Sequence, residues 1–211
     1  MTPYIIIADD HSMVRKGIKL LLMSRLGCKN VYEADSCNGL MNELKKGNCT
    51  HIILDVIFPD GTSLELVPSI KKIYPDVKIM IFSMQPVAIY AEAFRQYGIH
   101  YYLAKSSNEE DTVKYLKGFL DNEPHPFQTN RTPASYNPFS ILAPRELEIL
   151  HYLLNGHKTN SIAETLNLSN STVSTFKKRI FEKTGTTSLA QLYELASLNN
   201  LGFYANTPKS E

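Results

Sequence analysis

The sequence predicts an α/β fold with a doubly wound, five-stranded parallel sheet, followed by a small all-α domain. Three observations predict it. In residues 1–121, short apolar runs alternate five times with amphipathic stretches. A proline-rich stretch at 122–141 interrupts this alternation, and helical periodicity alone follows over 142–199. Alternating strand and helix patterns are typical of a parallel sheet that is covered by helices on both faces.

The five predicted strands are the apolar runs, and the helices lie between them. The strands are YIIIAD (4–9), VYEAD (31–35), HIILD (51–55), VKIMIFS (77–83) and HYYLAK (100–105). The helices are predicted near 12–26, 37–46, 62–74, 86–97 and 109–121. In the first helix, Val14, Ile18 and Leu22 share one face at helical spacing. Right-handed crossovers would bring the carboxyl ends of the strands to one edge, where such sheets bind ligands.

The remainder of the chain has a different organisation. The stretch 122–141 contains four prolines and is predicted to be a linker, extended at its prolines. The domain at 142–199 is predicted to contain four helices: one from Pro144 to Gly156, then 159–167, 170–184 behind an N-cap at Ser169, and 188–199. Residues 200–211 are predicted to be a frayed tail.

Composition narrows the class of protein. No apolar stretch approaches the ~18 residues of a membrane span, so no membrane partner is expected. The N-terminus "MTPYIIIADD" is predicted to be a first strand and not a signal peptide. Cys28, Cys37 and Cys49 form no CxxC pair and are expected to be reduced thiols, which favours a cytoplasmic location. Residues 158–183 carry five basic and two acidic side chains, a surplus compatible with a nucleic-acid surface.

Three carboxylates follow two predicted strands. Asp9 and Asp10 end the first strand, and Asp55 ends the third, which is expected to be its neighbour. At ~4 Å and an effective dielectric constant near 20, two such charges repel by ~4 kcal/mol. The cluster therefore needs a cation or a proton, and Mg²⁺ is the usual hard cation where a phosphate is also present.

Two further strand ends add groups that suit an anion. Ser83 ends the fourth strand and Lys105 the fifth. Taken singly, Ser83 could be a core hydroxyl and Lys105 an ordinary surface lysine. Together with the acids at one sheet edge, they favour phosphoryl transfer to a carboxylate, with the metal and the lysine stabilising the transferring oxygens.

Residues 1–121 resemble the receiver domain of two-component response regulators. The resemblance rests on ADD at 8–10, LDVIFPDG at 54–61, FS at 82–83 and YLAK at 102–105. It implies a flavodoxin-like (CheY-like) fold, with Asp55 as the acceptor of a phosphoryl group from a sensor histidine kinase. The family's usual Lys-Pro is Lys105-Ser106 here, a departure that keeps the lysine.

The same resemblance assigns the other receiver residues. It implies that Asp10, Asp55 and the backbone carbonyl of Ile57 bind Mg²⁺ directly and that Asp9 acts through water. It also implies that a phosphoryl group is contacted by two of the residues named above, Ser83 and Lys105. Tyr102 stands at the family's aromatic switch position.

In the C-terminal domain, the second and third helices and the short turn between them are predicted to form a helix-turn-helix. The polar face of the third helix carries Ser171, Ser174, Thr175, Lys178 and Lys183. Spacing alone leaves open a plain helical bundle with a basic, solvated face.

The motifs LAPRELEIL, GHKTNSIAETLNLSNSTVS and IFEKTG in this domain resemble the DNA-binding domain of the LuxR-type NarL/FixJ family. This implies DNA contacts by Ser174, Thr175 and Lys178. Ser174 and Phe176 depart from the family's usual lysine and histidine.

The combined prediction is a cytoplasmic transcription regulator in which phosphorylation of Asp55 controls dimerisation and DNA binding. It is expected to be no enzyme beyond assisting its own phosphotransfer and dephosphorylation. A phosphohydrolase of the haloacid-dehalogenase type would need a second Asp at the position of Ile57. A second alternative is a regulator that ignores phosphate and acts through protein contacts alone. On the last helix, a dimer face and an intramolecular core are alternatives for Leu189, Leu192, Tyr193 and Ala196.

Overall fold

The computed structural model describes residues 3–123, 137–199 and 201. The chain divides into two compact units. The N-terminal unit contains the parallel sheet, and the C-terminal unit is helical. Within these described residues, no helix is long and apolar enough to cross a membrane. All three cysteines are free thiols, as predicted.

The N-terminal unit is built on five parallel strands. They are β1 (Tyr4–Ala8), β2 (Asn30–Ala34), β3 (His51–Leu54), β6 (Lys78–Ser83) and β7 (Tyr101–Ala104), in the order β2-β1-β3-β6-β7. The predicted doubly wound fold is confirmed, and so is the pairing of the first and third strands, in which Ala8 faces Leu54. The order is that of flavodoxin-like sheets, so the reversal between β1 and β3 opens a crevice at their carboxyl ends.

A short antiparallel hairpin follows β3 and was not predicted. It consists of β4 (Ile57–Phe58) and β5 (Gly61–Thr62), joined through Pro59 and Asp60. Two-residue strands are too short to produce the alternation by which strands are recognised in a sequence. The hairpin occupies the segment directly after Asp55, where the sequence indicated only a connection.

Five helices surround the sheet: α1 (Ser12–Ser24), α2 (Cys37–Leu44), α3 (Ser63–Ile73), α4 (Val87–Arg95) and α5 (Glu109–Asp121). Local side chains explain where two of them begin. The Ser36 hydroxyl accepts from the Gly39 N–H at the start of α2, and the Asn108 side chain accepts from the Asp111 N–H at the start of α5. Such caps satisfy N–H groups that lack a helical partner.

The core lies on both faces of the sheet because successive strand residues point to opposite sides. Ile5, Ile7 and Ile53 pack in one cluster with Leu22 of α1 and Phe119 of α5. The alternate residues of the same strands, among them Ile6 and Ile52, are also fully buried. Both faces are therefore covered, and only the strand ends remain to form a site.

The C-terminal unit contains α6 (Pro144–Leu154), α7 (Thr159–Thr165), α8 (Asn170–Thr184) and α9 (Leu189–Leu198). The Ser169 hydroxyl accepts from the Thr172 N–H, which confirms the predicted N-cap. Gly185 ends α8 with a φ of 69°, a conformation that favours glycine. Phe139, inside the predicted linker, is fully buried. Linker residues 124–136 and tail residues 202–211 lie outside the described residues.

The face of α9 suggested for dimer contact is largely occupied within its own unit. Leu192 and Ala196 are fully buried, and the Tyr193 hydroxyl donates to the Leu153 carbonyl at 2.8 Å. The structure favours the core alternative for Leu192 and Ala196, because a fully buried side chain offers no surface to a second chain, whereas Leu189 and Tyr193 are partly exposed.

Candidate functional site

Backbone hydrogen bonds continue one residue beyond β1, β3 and β7 at the carboxyl edge of the sheet. Asp9 N–H donates to the Ala34 carbonyl at 3.1 Å, and Asp55 N–H donates to the Ala8 carbonyl at 2.9 Å. On the other side, Lys105 N–H donates to the Ser83 carbonyl at 2.9 Å. The main chain therefore holds the acids and the lysine at fixed positions along this edge.

Lys105 lies between two buried carboxylates. Its Nζ is 2.6 Å from Asp9 Oδ2 and 2.5 Å from Asp55 Oδ2, and all three side chains are at most 5% exposed. Burial raises the pKa of Asp55, while the charge of Lys105 acts to lower it. Burial acts to lower the pKa of Lys105, but the two carboxylates outweigh it, and this pKa is raised. Lys105 is therefore held in its charged form.

Asp10 is placed differently from the other two acids. Its side chain is 31% exposed, and Oδ1 lies 2.6 Å from His11 Nδ1. This contact lacks the geometry of a hydrogen bond, so the buried oxygen has no hydrogen-bond donor within the described part of the chain. Ligand atoms of Asp9, Asp10, His11 and Asp55 all lie within 4.8 Å of one another. A crowded set of carboxylate oxygens with an unsatisfied acceptor fits a hard divalent cation such as Mg²⁺.

His11 is a member of this cluster that the sequence reasoning missed. Its backbone N–H donates to Asp9 Oδ1 at 2.9 Å, and its ring nitrogen Nδ1 lies 3.2 Å from the same oxygen. The sequence could have indicated this residue, because His11 directly follows the acidic pair Asp9 and Asp10. Arg15, a residue of α1, was also missed, although its guanidinium donates to the Asp9 carbonyl at 2.6 Å and so holds the acidic loop against this helix.

Ser83 and Tyr102 are joined through Gln85. Ser83 is 1% exposed and accepts from the Gln85 N–H at 3.3 Å, and its hydroxyl acts to lower the pKa of Asp55. The Tyr102 hydroxyl donates to the Gln85 carbonyl at 2.9 Å, with its ring buried. The predicted switch residue thus connects by two hydrogen bonds to the predicted phosphoryl contact. Ile57, the predicted carbonyl ligand, lies on β4 two residues after Asp55.

In the C-terminal unit, α8 presents a continuous polar surface. The exposed residues on this helix include Ser171, Ser174, Thr175 and Lys178, as the helical spacing indicated. Val173 and Ile180 are fully buried on the opposite face. The helix is therefore anchored by its apolar residues, and short polar side chains stand outward, where they can reach base edges in a major groove.

The basic side chains of α8 have different surroundings. Lys183 Nζ lies 2.6 Å from Glu146 Oε2, and Glu146 also accepts from the Ala143 N–H at the start of α6. Lys178 is 79% exposed, with Glu182 as a distant partner at 3.8 Å. Arg179, which the sequence reasoning did not select, is exposed one turn after Thr175 and stands over the Phe176 ring. Lys178 and Arg179 are therefore more available to a DNA phosphate than Lys183, whose ammonium is paired with Glu146. A DNA contact by Lys183 stays a prediction.

Both units match protein-family models. Residues 5–117 match the response regulator receiver domain, and residues 140–196 match the bacterial regulatory proteins of the LuxR family. The Fimbriae Z protein of Salmonella typhimurium is 30% identical over 93% of this chain and 97% of its own. A putative transcriptional regulator of Pseudomonas aeruginosa is 32% identical over 93% of this chain and 98% of its own.

Solved structures are similar over the same length. RcsB of Salmonella enterica serovar Typhimurium, bound to the promoter rprA in the presence of the phosphomimetic BeF₃⁻, is 26% identical. The similarity has a TM-score of 0.76 and covers 94% of this chain and 99% of that one. A structure of two RcsB dimers bound to two parallel DNAs has a TM-score of 0.72 and 25% identity, and covers 92% and 98% of the two chains.

The fold and the strand-end cluster define a receiver domain, and the helical unit defines a LuxR-type domain. The chain belongs to the response regulators of the NarL/FixJ family, in which a receiver precedes a LuxR-type DNA-binding domain. Proteins of this family are transcription regulators.

Proposed function

We propose that a sensor histidine kinase phosphorylates this regulator on Asp55 and that the modification controls DNA binding through α8. The observation that carries the proposal is the pairing of a buried Asp55 with Lys105 at the end of β3, with Ser83 on the same carboxylate. A carboxylate with a fixed cation and a hydroxyl beside it has the groups that phosphoryl transfer requires. A cytoplasmic location belongs to the same proposal.

In this reaction, a carboxylate oxygen of Asp55 attacks the phosphorus of the donor, and the bond from phosphorus to the donor nitrogen breaks. The product is an acyl phosphate. Lys105 and Ser83 would then contact its oxygens. Asp10, Asp55 and the Ile57 carbonyl would hold Mg²⁺, with Asp9 acting through water. When bound, this ion would neutralise charge on the phosphoryl oxygens.

Two rival functions receive less support. A phosphohydrolase of the haloacid-dehalogenase type would need an acid where Ile57 stands, and Ile57 carries no titratable group. A regulator that ignores phosphate would have no need for three carboxylates within 4.8 Å of one another. Lys105 offsets part of the repulsion within this cluster, and a bound cation would offset more of it.

DNA recognition and pairing of chains complete the proposal. The structures of RcsB with promoter DNA, and of RcsB dimers on DNA, support both by similarity. One LuxR-type unit offers few contacts, so pairing two units would raise the effective affinity without new contact types. Paired helix-turn-helix units read half-sites about one helical turn apart, ~10 bp centre to centre.

The deciding experiment uses the full chain. Duplexes enriched from a random-sequence library are titrated with the protein, with and without beryllofluoride and Mg²⁺, and sedimentation velocity follows the oligomeric state. We expect beryllofluoride to tighten DNA binding and to shift monomers to dimers, and Asp55→Asn to respond in neither assay. A wild type with unchanged affinity would instead support the phosphate-independent regulator.

Replacing Lys178 with alanine should weaken DNA binding on every sequence. The ammonium is exposed and its ion pair is long, so it is available to a phosphate. Loss of one phosphate contact reduces the slope of log K against log salt by ~0.9. The matched control is Glu182→Ala, which removes the same ion pair but keeps the cation. An unchanged salt slope in Lys178→Ala would place this residue off the DNA.

Replacing Asp10 with asparagine should abolish Mg²⁺-dependent phosphorylation while the chain stays folded. The side chain is partly exposed and, among the residues that the structure describes, has no lysine partner, unlike Asp9. Removing its charge also relieves repulsion within the acidic cluster, so the thermal midpoint without Mg²⁺ should stay the same or rise. Phosphate incorporation from acetyl phosphate in Mg²⁺, followed by intact mass, and thermal unfolding without Mg²⁺ measure the two effects. An unfolded variant would indicate a structural role instead.

A further inference from the structure

The segment that follows Asp55 is closed into a hairpin by backbone hydrogen bonds. The Val56 carbonyl accepts from the Ser63 N–H at 2.9 Å and from its hydroxyl at 3.3 Å. Ahead of this bond, Ile57 lies opposite Thr62, and Phe58 lies opposite Gly61. The hairpin therefore determines where the backbone of Ile57 stands.

The hairpin's register turns the Ile57 carbonyl outward. In an antiparallel pair, hydrogen-bonded residue pairs alternate with pairs that share no hydrogen bond. Val56 and Ser63 are hydrogen-bonded, so the next pair, Ile57 and Thr62, is of the second kind. The Ile57 carbonyl consequently points away from the partner strand, which leaves it available as a ligand to a cation.

The tip of the hairpin is fastened to α2 by Asp60. Its Oδ1 accepts from the Cys37 N–H at 2.9 Å, and its Oδ2 accepts from the Asn38 N–H at 3.1 Å. These are the first two N–H groups of α2, which have no partner within the helix. The approach is close: a Cβ atom on Gly61 would lie 3.4 Å from Cys37 Sγ. The helix itself is anchored in the core through Leu40 and Leu44.

We propose that Asp60 is a positioning residue for the cation site. A hairpin of two-residue strands is marginal by itself, so its position depends on what fixes its tip. Because the Asp60 carboxylate binds the N-terminus of α2, it holds the hairpin, and with it the Ile57 carbonyl, in a fixed position relative to this helix. This inference rests on the proposed function, because it assumes that the receiver binds Mg²⁺ through that carbonyl.

The test compares the wild-type full chain with Asp60→Ala, Asp60→Asn and Ser36→Ala. Ser36 also caps α2, through the Gly39 N–H, and its described side-chain hydrogen bonds, to Gly39 and Asp35, do not include the hairpin. It therefore controls for the loss of a helix cap alone. Calorimetric titration gives the Kd for Mg²⁺, thermal unfolding in chelator gives the stability of the metal-free chain, and hydrogen exchange at the Ser63 amide reports on the closure of the hairpin.

We expect Asp60→Ala to raise the Kd for Mg²⁺ about tenfold, the scale of losing a residue that orients a ligand. Exchange at the Ser63 amide should quicken in this variant. Asp60→Asn keeps one capping oxygen and should show a smaller rise. Ser36→Ala should lower the thermal midpoint comparably but leave the Kd within twofold of the wild type.

Equal Kd values for Asp60→Ala and the wild type would overturn the inference, and so would equal rises in Asp60→Ala and Ser36→Ala. Should Asp60→Ala fail to fold, the comparison of Asp60→Asn with Ser36→Ala decides by the same criterion. A wild type that binds no Mg²⁺ would overturn the proposed function itself, a result distinct from selective failure of the Asp60 variants.

Discussion

Replacing Asp55 with asparagine is expected to abolish phosphate incorporation completely. Incubation of the wild type with acetyl phosphate and Mg²⁺ should add one acid-stable, base-labile phosphate, as an acyl phosphate requires. The amide in the variant is no nucleophile for phosphorus. Asp9 also lies at hydrogen-bond distance from Lys105. Among the described interactions, however, no hydroxyl acts on the Asp9 carboxylate as that of Ser83 acts on the Asp55 carboxylate.

Intact mass and the base lability of the label measure this prediction. Asp76→Asn is the matched control, since Asp76 is an exposed aspartate outside the acidic cluster. Thermal unfolding shows that each variant is folded. If Asp55→Asn incorporated as much phosphate as the wild type, the acceptor would be another residue, and Asp9 and Asp10 would be the next to replace.

The strand-end cluster could be predicted from the sequence because it follows from topology. Five apolar runs separated by helices imply a parallel sheet, and the carboxyl ends of its strands share one edge. Asp9 and Asp55 were therefore expected at one edge of the sheet. Periodicity does not determine the order of the strands, and the observed pairing of β1 with β3 is what makes these two residues neighbours.

Individual hydrogen bonds between residues distant in sequence could not be predicted. The Asp60 carboxylate reaches the backbone N–H of Cys37, at the start of α2, across 23 positions. Lys183 illustrates the same limit in α8. Helical spacing placed it on the polar face, but its ion pair with Glu146 spans 37 positions. Periodicity assigns a residue to a face, whereas the choice of partner depends on packing between elements.

Replacing Lys105 with methionine is expected to destabilise the metal-free receiver strongly. Methionine keeps the length of the buried side chain but removes the charge that faces Asp9 and Asp55. Breaking a buried ion pair by removing one partner costs about 3–5 kcal/mol, because the remaining charge is left uncompensated. Here two carboxylates would remain, so the free energy of unfolding at pH 7 should fall by an amount within this range.

The loss should depend on pH in a defined direction. Burial already raises the pKa of Asp55, and Lys105 opposes this rise. Without the lysine, the pKa of Asp55 in the folded chain rises further above its unfolded value of about 3.9. An acid whose pKa is raised in the folded chain binds more protons there than in the unfolded chain. Its contribution to the free energy of unfolding is therefore complete below the unfolded pKa and is lost as the pH rises through the folded pKa. Lys105→Met should therefore approach the wild type near pH 4 and diverge from it toward pH 7.

A second substitution separates this electrostatic cause from a packing defect. In Lys105→Met with Asp55→Asn, one of the two uncompensated charges is gone, so part of the lost stability should return at pH 7. Mg²⁺ should also stabilise the single variant more than the wild type, since the cation supplies the charge that methionine lacks. Urea unfolding in chelator and in Mg²⁺, at pH 4 and pH 7, measures all of these effects. Carboxylates left unpaired must respond both to pH and to Asp55→Asn. A loss that is the same at both pH values, and is not relieved by Asp55→Asn, would therefore mean that Lys105 contributes through its packing.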